Sequence, residues 1–162
     1  MDSGMKQSLR QNDDGSALVE GAIVVPVLFA LVFGVFEFSW LFYQQHLIST
    51  GIRDAARYIA RSASPTDPTI QLDARNLAAT GTFAGGVARV SGWSARDVKI
   101  SYESVDNPPG LNGLTRYRGG RAIQSVTVST SFTAPSLGFF GFLGLKPPAF
   151  TVSHQERVIG ST

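Results

Sequence analysis

Between Gly21 and Phe36 this chain carries no charged side chain, and beyond Glu37 the apolar character resumes through Phe38, Trp40, Leu41, Phe42 and Tyr43. As an α-helix, about 20 predominantly apolar residues cross the hydrocarbon core of a bilayer, so this stretch is long enough to span. A cleavable secretory signal has a shorter apolar region of roughly 7 to 15 residues followed by a small-x-small site, and the run exceeds it. Trp40 and Tyr43 stand at its C-terminal end, where amphipathic rings favour the headgroup level, which sets the expected span at about residues 17–43. A buried core helix is the alternative. Charged residues make up 16% of the chain, below the roughly 25% of soluble domains, and the apolar residues are concentrated between Ala17 and Tyr43.

Helical periodicity continues past the span. Leu47, Ile48, Ile52, Ala55, Ala56 and Ile59 recur at three- and four-residue steps, with Arg53, Arg57 and Arg61 as a polar row opposite. The sequence therefore predicts one rod from about Ser16 to Arg61, roughly 70 Å long at 1.5 Å per residue, within an N-terminal segment 16–62. Ser64, Pro65, Asp67 and Pro68 end it. Residues 1–15, with Lys6 and Arg10 set against Asp2, Asp13 and Asp14, show no apolar period and read as a disordered leader.

Residues 63–162 hold the material for one domain. A short helix is expected from Ile70 to about Thr80 behind Asp67 and Thr69 as capping candidates, limited by Gly81, Gly85 and Gly86. Two-residue alternation then marks three strands: Val98, Ile100 and Tyr102; Val126, Val128, Thr130 and Phe132; and Phe150, Val152 and His154, on to Val158. The expected fold class is α+β, a long N-terminal transmembrane and amphipathic helix packed on a small antiparallel sheet. The connection from Pro135 to Pro148 interleaves Leu137, Phe139, Phe140, Phe142, Leu143 and Leu145 with glycines. It is too broken for a regular helix and too apolar for a free loop, so it plugs the sheet edge or, as the second choice, touches lipid or a partner.

Gly15-Ser16-Ala17-Leu18-Val19-Glu20, at the mouth of the apolar run, resembles the prepilin signal of type IV pilin-like proteins. That resemblance implies cutting between Gly15 and Ser16 by a membrane-embedded prepilin peptidase. It also implies that Glu20 pairs with a freed N-terminal ammonium, since a carboxylate in hydrocarbon is costly unless paired. A wider pattern resembles the TadE-like family of tight-adherence pilus proteins: Val19-Glu20, Pro26, Gly34, Glu37-Phe38, and the Gly51–Ala60 stretch with Ala55-Ala56-Arg57-Tyr58. A looser likeness extends to Asn76-Leu77-Ala78 and Arg157-Val158-Ile159. Two positions depart from the pattern: Gly21 stands where a bulky residue usually follows the glutamate, and Asp13-Asp14 stand where basic residues are common before the cut.

The resemblance implies a structural minor pilin or pseudopilin in the bacterial cytoplasmic membrane, single-pass, with its C-terminal domain outside. Implied partners are the lipid bilayer, other pilin-like subunits, the prepilin peptidase and the pilus assembly platform. An uncleaved membrane-anchored module that binds another envelope protein is the alternative. Charge does not orient the span, because Lys6 and Arg10 precede it while Arg53, Arg57 and Arg61 follow it.

Ala22, Pro26, Ala30 and Gly34, four apart, lay small side chains along one helix ridge, either a packing seam for a neighbouring helix or small residues that lipid tolerates. Glu37, late in the span, either pairs with a neighbouring subunit or snorkels to the membrane interface, the reading that Trp40 and Tyr43 favour.

With no cysteine, disulfides, thiolate metal sites and cysteine nucleophiles are excluded. His154-Gln155-Glu156 has the spacing of a deaminase element without the cysteines that complete its zinc site. No Gly-x-Ser-x-Gly, His-Glu-x-x-His or phosphate loop is present, so neither enzyme activity nor a metal or other cofactor is expected. The net charge of +2 comes from scattered arginines, and Arg116, Arg118 and Arg121 read as a solvated loop rather than a nucleic-acid surface. The chain is expected to sediment with membranes and to need detergent for purification; a monodisperse, detergent-free monomer in analytical ultracentrifugation would contradict the span.

Overall fold

The computed structural model describes residues 3–111, 113–117, 120–133 and 135–159; Met1 and Asp2 of the leader, and Arg118 of the arginine cluster, lie outside the described residues. Helix α1 (Ser3–Arg61) is the axis of the molecule. In hydrocarbon every backbone N–H and C=O must be satisfied within the segment, which leaves the apolar stretch no alternative to a helix. The helix starts at Ser3, so the backbone of residues 3–14 is helical where the sequence suggested a disordered leader. Extending a helix costs far less than nucleating one, and Lys6, Gln7, Leu9, Arg10 and Gln11 are all good helix formers.

After a turn through Pro65, helix α2 (Pro68–Thr80) folds back on α1. Asp67 is its N-cap: its Oδ1 accepts from the Thr69 amide at 2.7 Å, and Pro68 occupies the first helical position, where no amide is missed. Gly81 closes it in the left-handed region at φ 84°, donating its amide to Leu77 O at 2.9 Å.

Strands β1 (Val98–Asp106), β2 (Ala122–Thr133) and β3 (Ala149–Arg157) form an antiparallel sheet in that order. Ile100 stands opposite Val128, which in turn stands opposite His154, so the expected apolar sets fall on one face. The α+β class is as the sequence predicted.

That face packs on the distal half of α1 and on α2. Ile48, Ile52, Ile59, Ala74, Ala78, Val126 and Val128 are all fully buried there. Trp93 closes the core from the α2–β1 connection, donating its indole N–H to Thr130 Oγ1 at 3.2 Å, while Thr130 Oγ1 donates to Asp97 O at 2.8 Å. Asn107, also buried, organises the β1–β2 connection: its Nδ2 donates to Tyr117 O and Gly120 O at 2.9 and 3.0 Å, and its Oδ1 accepts the Tyr117 amide at 3.1 Å.

His154 and Glu156 lie on the edge strand β3. Their side chains meet at 2.9 Å, and Arg57 of α1 reaches Glu156 at 3.6 Å. The hydrogen bond from His154 outweighs burial and holds the Glu156 carboxyl below its ordinary value.

The two helices approach closely at Gly51, where a Cβ would stand 2.3 Å from Ala78 O. Helix propensity alone would make Gly51→Ala a gain of about 1 kcal/mol. Here it is expected to cost about 1–3 kcal/mol, because two packed helices must separate. Thermal unfolding of the detergent-solubilised chain, followed by circular dichroism, measures the sign.

Candidate functional site on the long helix

From Ser16 to Phe36 the rod is exposed on all sides, with Gly21 and Gly34 the half-buried exceptions, and α1 is long and apolar enough to cross a membrane. Gly15 and Ser16 are exposed, and space around Gly15 is open. Glu20 is exposed on the same rod, and among the described residues nothing pairs with it. A charged carboxylate at the helix centre of a bilayer costs on the order of 3 kcal/mol, and Glu20 lies near the N-terminal end of the exposed apolar stretch.

Ala22, Pro26 and Ala30 are exposed. Pro26 lies inside α1 and has no N–H to donate to the Ala22 carbonyl one turn back, so the ridge also carries a backbone acceptor without its helical partner. Gly34 differs. A Cβ there would lie 3.7 Å from the Phe139 ring, so the distal end of the expected seam is already covered by the chain's own phenylalanine-rich connection.

Glu37 is where the sequence reading fails. It is only 1% exposed, and it neither snorkels nor awaits another subunit. Its Oε1 accepts the backbone amide of Leu137 at 2.8 Å, and its Oε2 accepts that of Phe139 at 3.1 Å. Those donors belong to the turn that opens the four-residue helix α3 (Phe139–Phe142), made possible by Gly138 at φ 114°. About two turns further along α1, the buried Gln44 donates Nε2 to Pro135 O at 3.0 Å. The 135–139 segment is thus tied to the helix at two levels.

The tie aims the aromatic rings. Phe140 is buried against Leu41, Phe132 and Phe150, where it plugs the end of the sheet as expected. Phe38 meets Phe140 edge-on at 5.6 Å, and Phe139 stacks on Phe33 at 6.4 Å. Leu137, Phe142, Leu143 and Leu145 remain exposed. Between the loop and the helix lies an open apolar groove of about 470 Å³, lined by Pro26 and Ala30 from the helix and by Leu137, Phe139 and Phe142 from the loop.

Nothing in the sequence alone links Glu37 to Leu137, because the contact joins residues a hundred positions apart. The signal that could have found it was the coincidence of two anomalies: a carboxylate without a partner in an apolar helix, and an apolar loop rich in glycine with free amides.

These features define a class: a single apolar N-terminal helix, exposed over the length of a span, that carries a small α+β domain on its distal half. The particular match follows. Residues 15–57 fit the family model described as TadE-like protein, so this segment is TadE-like, as its residues suggested. The matched stretch begins at Gly15 and takes in Glu20, Pro26, Gly34 and Glu37, whereas the looser likeness at Asn76 and Arg157 lies outside it. No curated protein and no solved structure matches the chain.

Removing the carboxylate leaves two backbone amides with no acceptor, at about 1–3 kcal/mol each if they stay buried. Glu37→Ala is therefore expected to release the loop, and Glu37→Gln, which keeps one acceptor oxygen, to lie between. Hydrogen exchange at the Leu137 and Phe139 amides checks it, with the order of protection Glu, Gln, Ala.

Proposed function

We propose that the chain is a minor pilin or pseudopilin of a tight-adherence pilus system, and that it works by packing rather than by catalysis. The observation that carries this reading is the exposed Glu20, unpaired among the described residues and the one charged side chain between Ser16 and Phe36, five residues beyond Gly15. Cutting the Gly15–Ser16 bond creates an α-ammonium on Ser16, one helical turn from Glu20, and so supplies a cation to the membrane-embedded acid. The pairing is made within one subunit or with the next, and in the second case it sets the register between subunits. The family match over residues 15–57 supports the pilus context.

In this reading the chain sits in the bacterial cytoplasmic membrane with its domain on the outer side. A prepilin peptidase is its processing enzyme, and related pilin-like subunits and the assembly platform are its partners. The exposed ridge of Ala22, Pro26 and Ala30 supports lateral packing, since small side chains let helices approach closely and a neighbour can satisfy the freed Ala22 carbonyl. Intact-mass and N-terminal analysis of the protein from its native host is expected to find Ser16 first, with Gly15→Leu abolishing the cut and reducing pilus production. An intact Met1 terminus removes the processing claim. Unchanged size and pilus output in the Gly15 variant would favour an uncleaved membrane-anchored binding module.

A further inference from the structure

The exposed part of the rod, Ser16 to Phe36 with only Gly21 and Gly34 half-buried, is about 30 Å long at 1.5 Å per residue, which equals the thickness of a hydrocarbon core. Full burial by the domain begins at the next residue, Glu37. The hydrocarbon boundary therefore falls near Phe36, about two turns earlier than the 17–43 span expected from the aromatic residues, and Trp40 and Tyr43, whose rings lie 5.8 Å apart, occupy the headgroup layer beyond it.

The phenylalanine-rich loop is held at that same depth. Glu37 and Gln44 fix its backbone, and Phe140 locks it to the sheet. A chain of rings runs from the span into the loop without a break: Phe29 to Phe33 at 6.2 Å, Phe33 to Phe139 at 6.4 Å, and Phe139 to Phe142 at 6.4 Å. Phe142 at the end of the chain is 84% exposed, flanked by exposed Leu143 and Leu145, with the exposed Lys146 next in sequence. An apolar tip followed by a lysine is the composition that enters the acyl boundary while its cation stays among phosphates.

We propose that loop 137–146 is a second membrane contact, which inserts Leu137, Phe142, Leu143 and Leu145 into the interfacial layer of the leaflet that the helix leaves. The occupant of this apolar surface is lipid, because the loop is clamped at the level where lipid surrounds the helix. Contact at two points restricts the rotation and tilt of the domain about its single helix, so the sheet and the open ridge present a constant face to neighbours. The inference rests on the helix being a membrane span.

The chain has no cysteine, so a single introduced thiol labels uniquely. Spin-labelled Phe142→Cys, Val27→Cys and Leu111→Cys variants of the full chain are reconstituted in phosphatidylglycerol–phosphatidylethanolamine vesicles at high dilution. Collision with oxygen and with a water-soluble nickel chelate is read by electron paramagnetic resonance. Val27 lies in the span, and Leu111 is exposed in the β1–β2 connection, at the end of the sheet far from the loop. Phe142 is expected to show nickel access several-fold below Leu111, together with the raised oxygen access of a lipid-facing site. Nickel access at Phe142 equal to that at Leu111, with Val27 protected, overturns the loop contact but leaves the span intact. Nickel access at all three sites overturns the span and the proposal with it. Protection at Phe142 that disappears on further dilution of protein in lipid assigns the surface to a second copy of the chain and also overturns it.

Discussion

A carboxylate placed where apolar side chains close around it must have its oxygens satisfied, and at Glu37 two backbone amides of a distant loop do so. The rest of the architecture hangs on this exchange. The loop would otherwise carry amides into an apolar setting without acceptors, and the helix would carry an acid without donors; each lack costs several kcal/mol and each removes the other. Once joined, Leu137 and Phe139 deliver Phe140 to the open end of the sheet, where it meets Leu41, Phe132 and Phe150. The domain is thereby set at one height on the rod.

A single stripe runs along α1, and the domain uses only part of it. From Glu37 through Leu41, Gln44, Ile48, Ile52, Ala55 and Ile59 the stripe is buried by the chain's own loop, sheet and second helix. Toward the N-terminus the same face continues past Gly34, which Phe139 partly covers, to the exposed Ala30 and Pro26, and the apolar groove marks where intramolecular packing gives out. A helix that is apolar all round over the length of a bilayer, then amphipathic beyond it, divides naturally into a part solvated by lipid or other helices and a part solvated by its own domain. In the proposed reading, processing at Gly15 and pairing of Glu20 would act at the far end of the span from the domain, so a function built on helix packing would leave the sheet free to vary. The family match, confined to residues 15–57, is consistent with that division.

Much of this plan was legible before any coordinates. The rod, its termination near Ser64 and the capping of α2 by Asp67 depend on short-range chemistry: periodicity, proline, a carboxylate two residues before an amide. The three strands depend on two-residue alternation and came out with their apolar sets on one face. The ends were harder. Helix α1 begins at Ser3 because propagation overrides a polar composition, a matter of degree that a pattern does not display.

What the sequence alone determined, then, is everything set by the order of side chains along the backbone: a membrane-length apolar helix, a glycine and a glutamate at its mouth, and an α+β domain of three strands. What only the tertiary structure decided is which polar groups meet. Glu37 with the amides of Leu137 and Phe139, Gln44 with Pro135, Asn107 with the β1–β2 connection, and Gly51 against Ala78 are contacts between segments far apart or across a long loop. A hydrogen bond has a definite length and direction. Whether two such groups come within 3 Å is settled by how the whole domain packs, and no local pattern of residues encodes it.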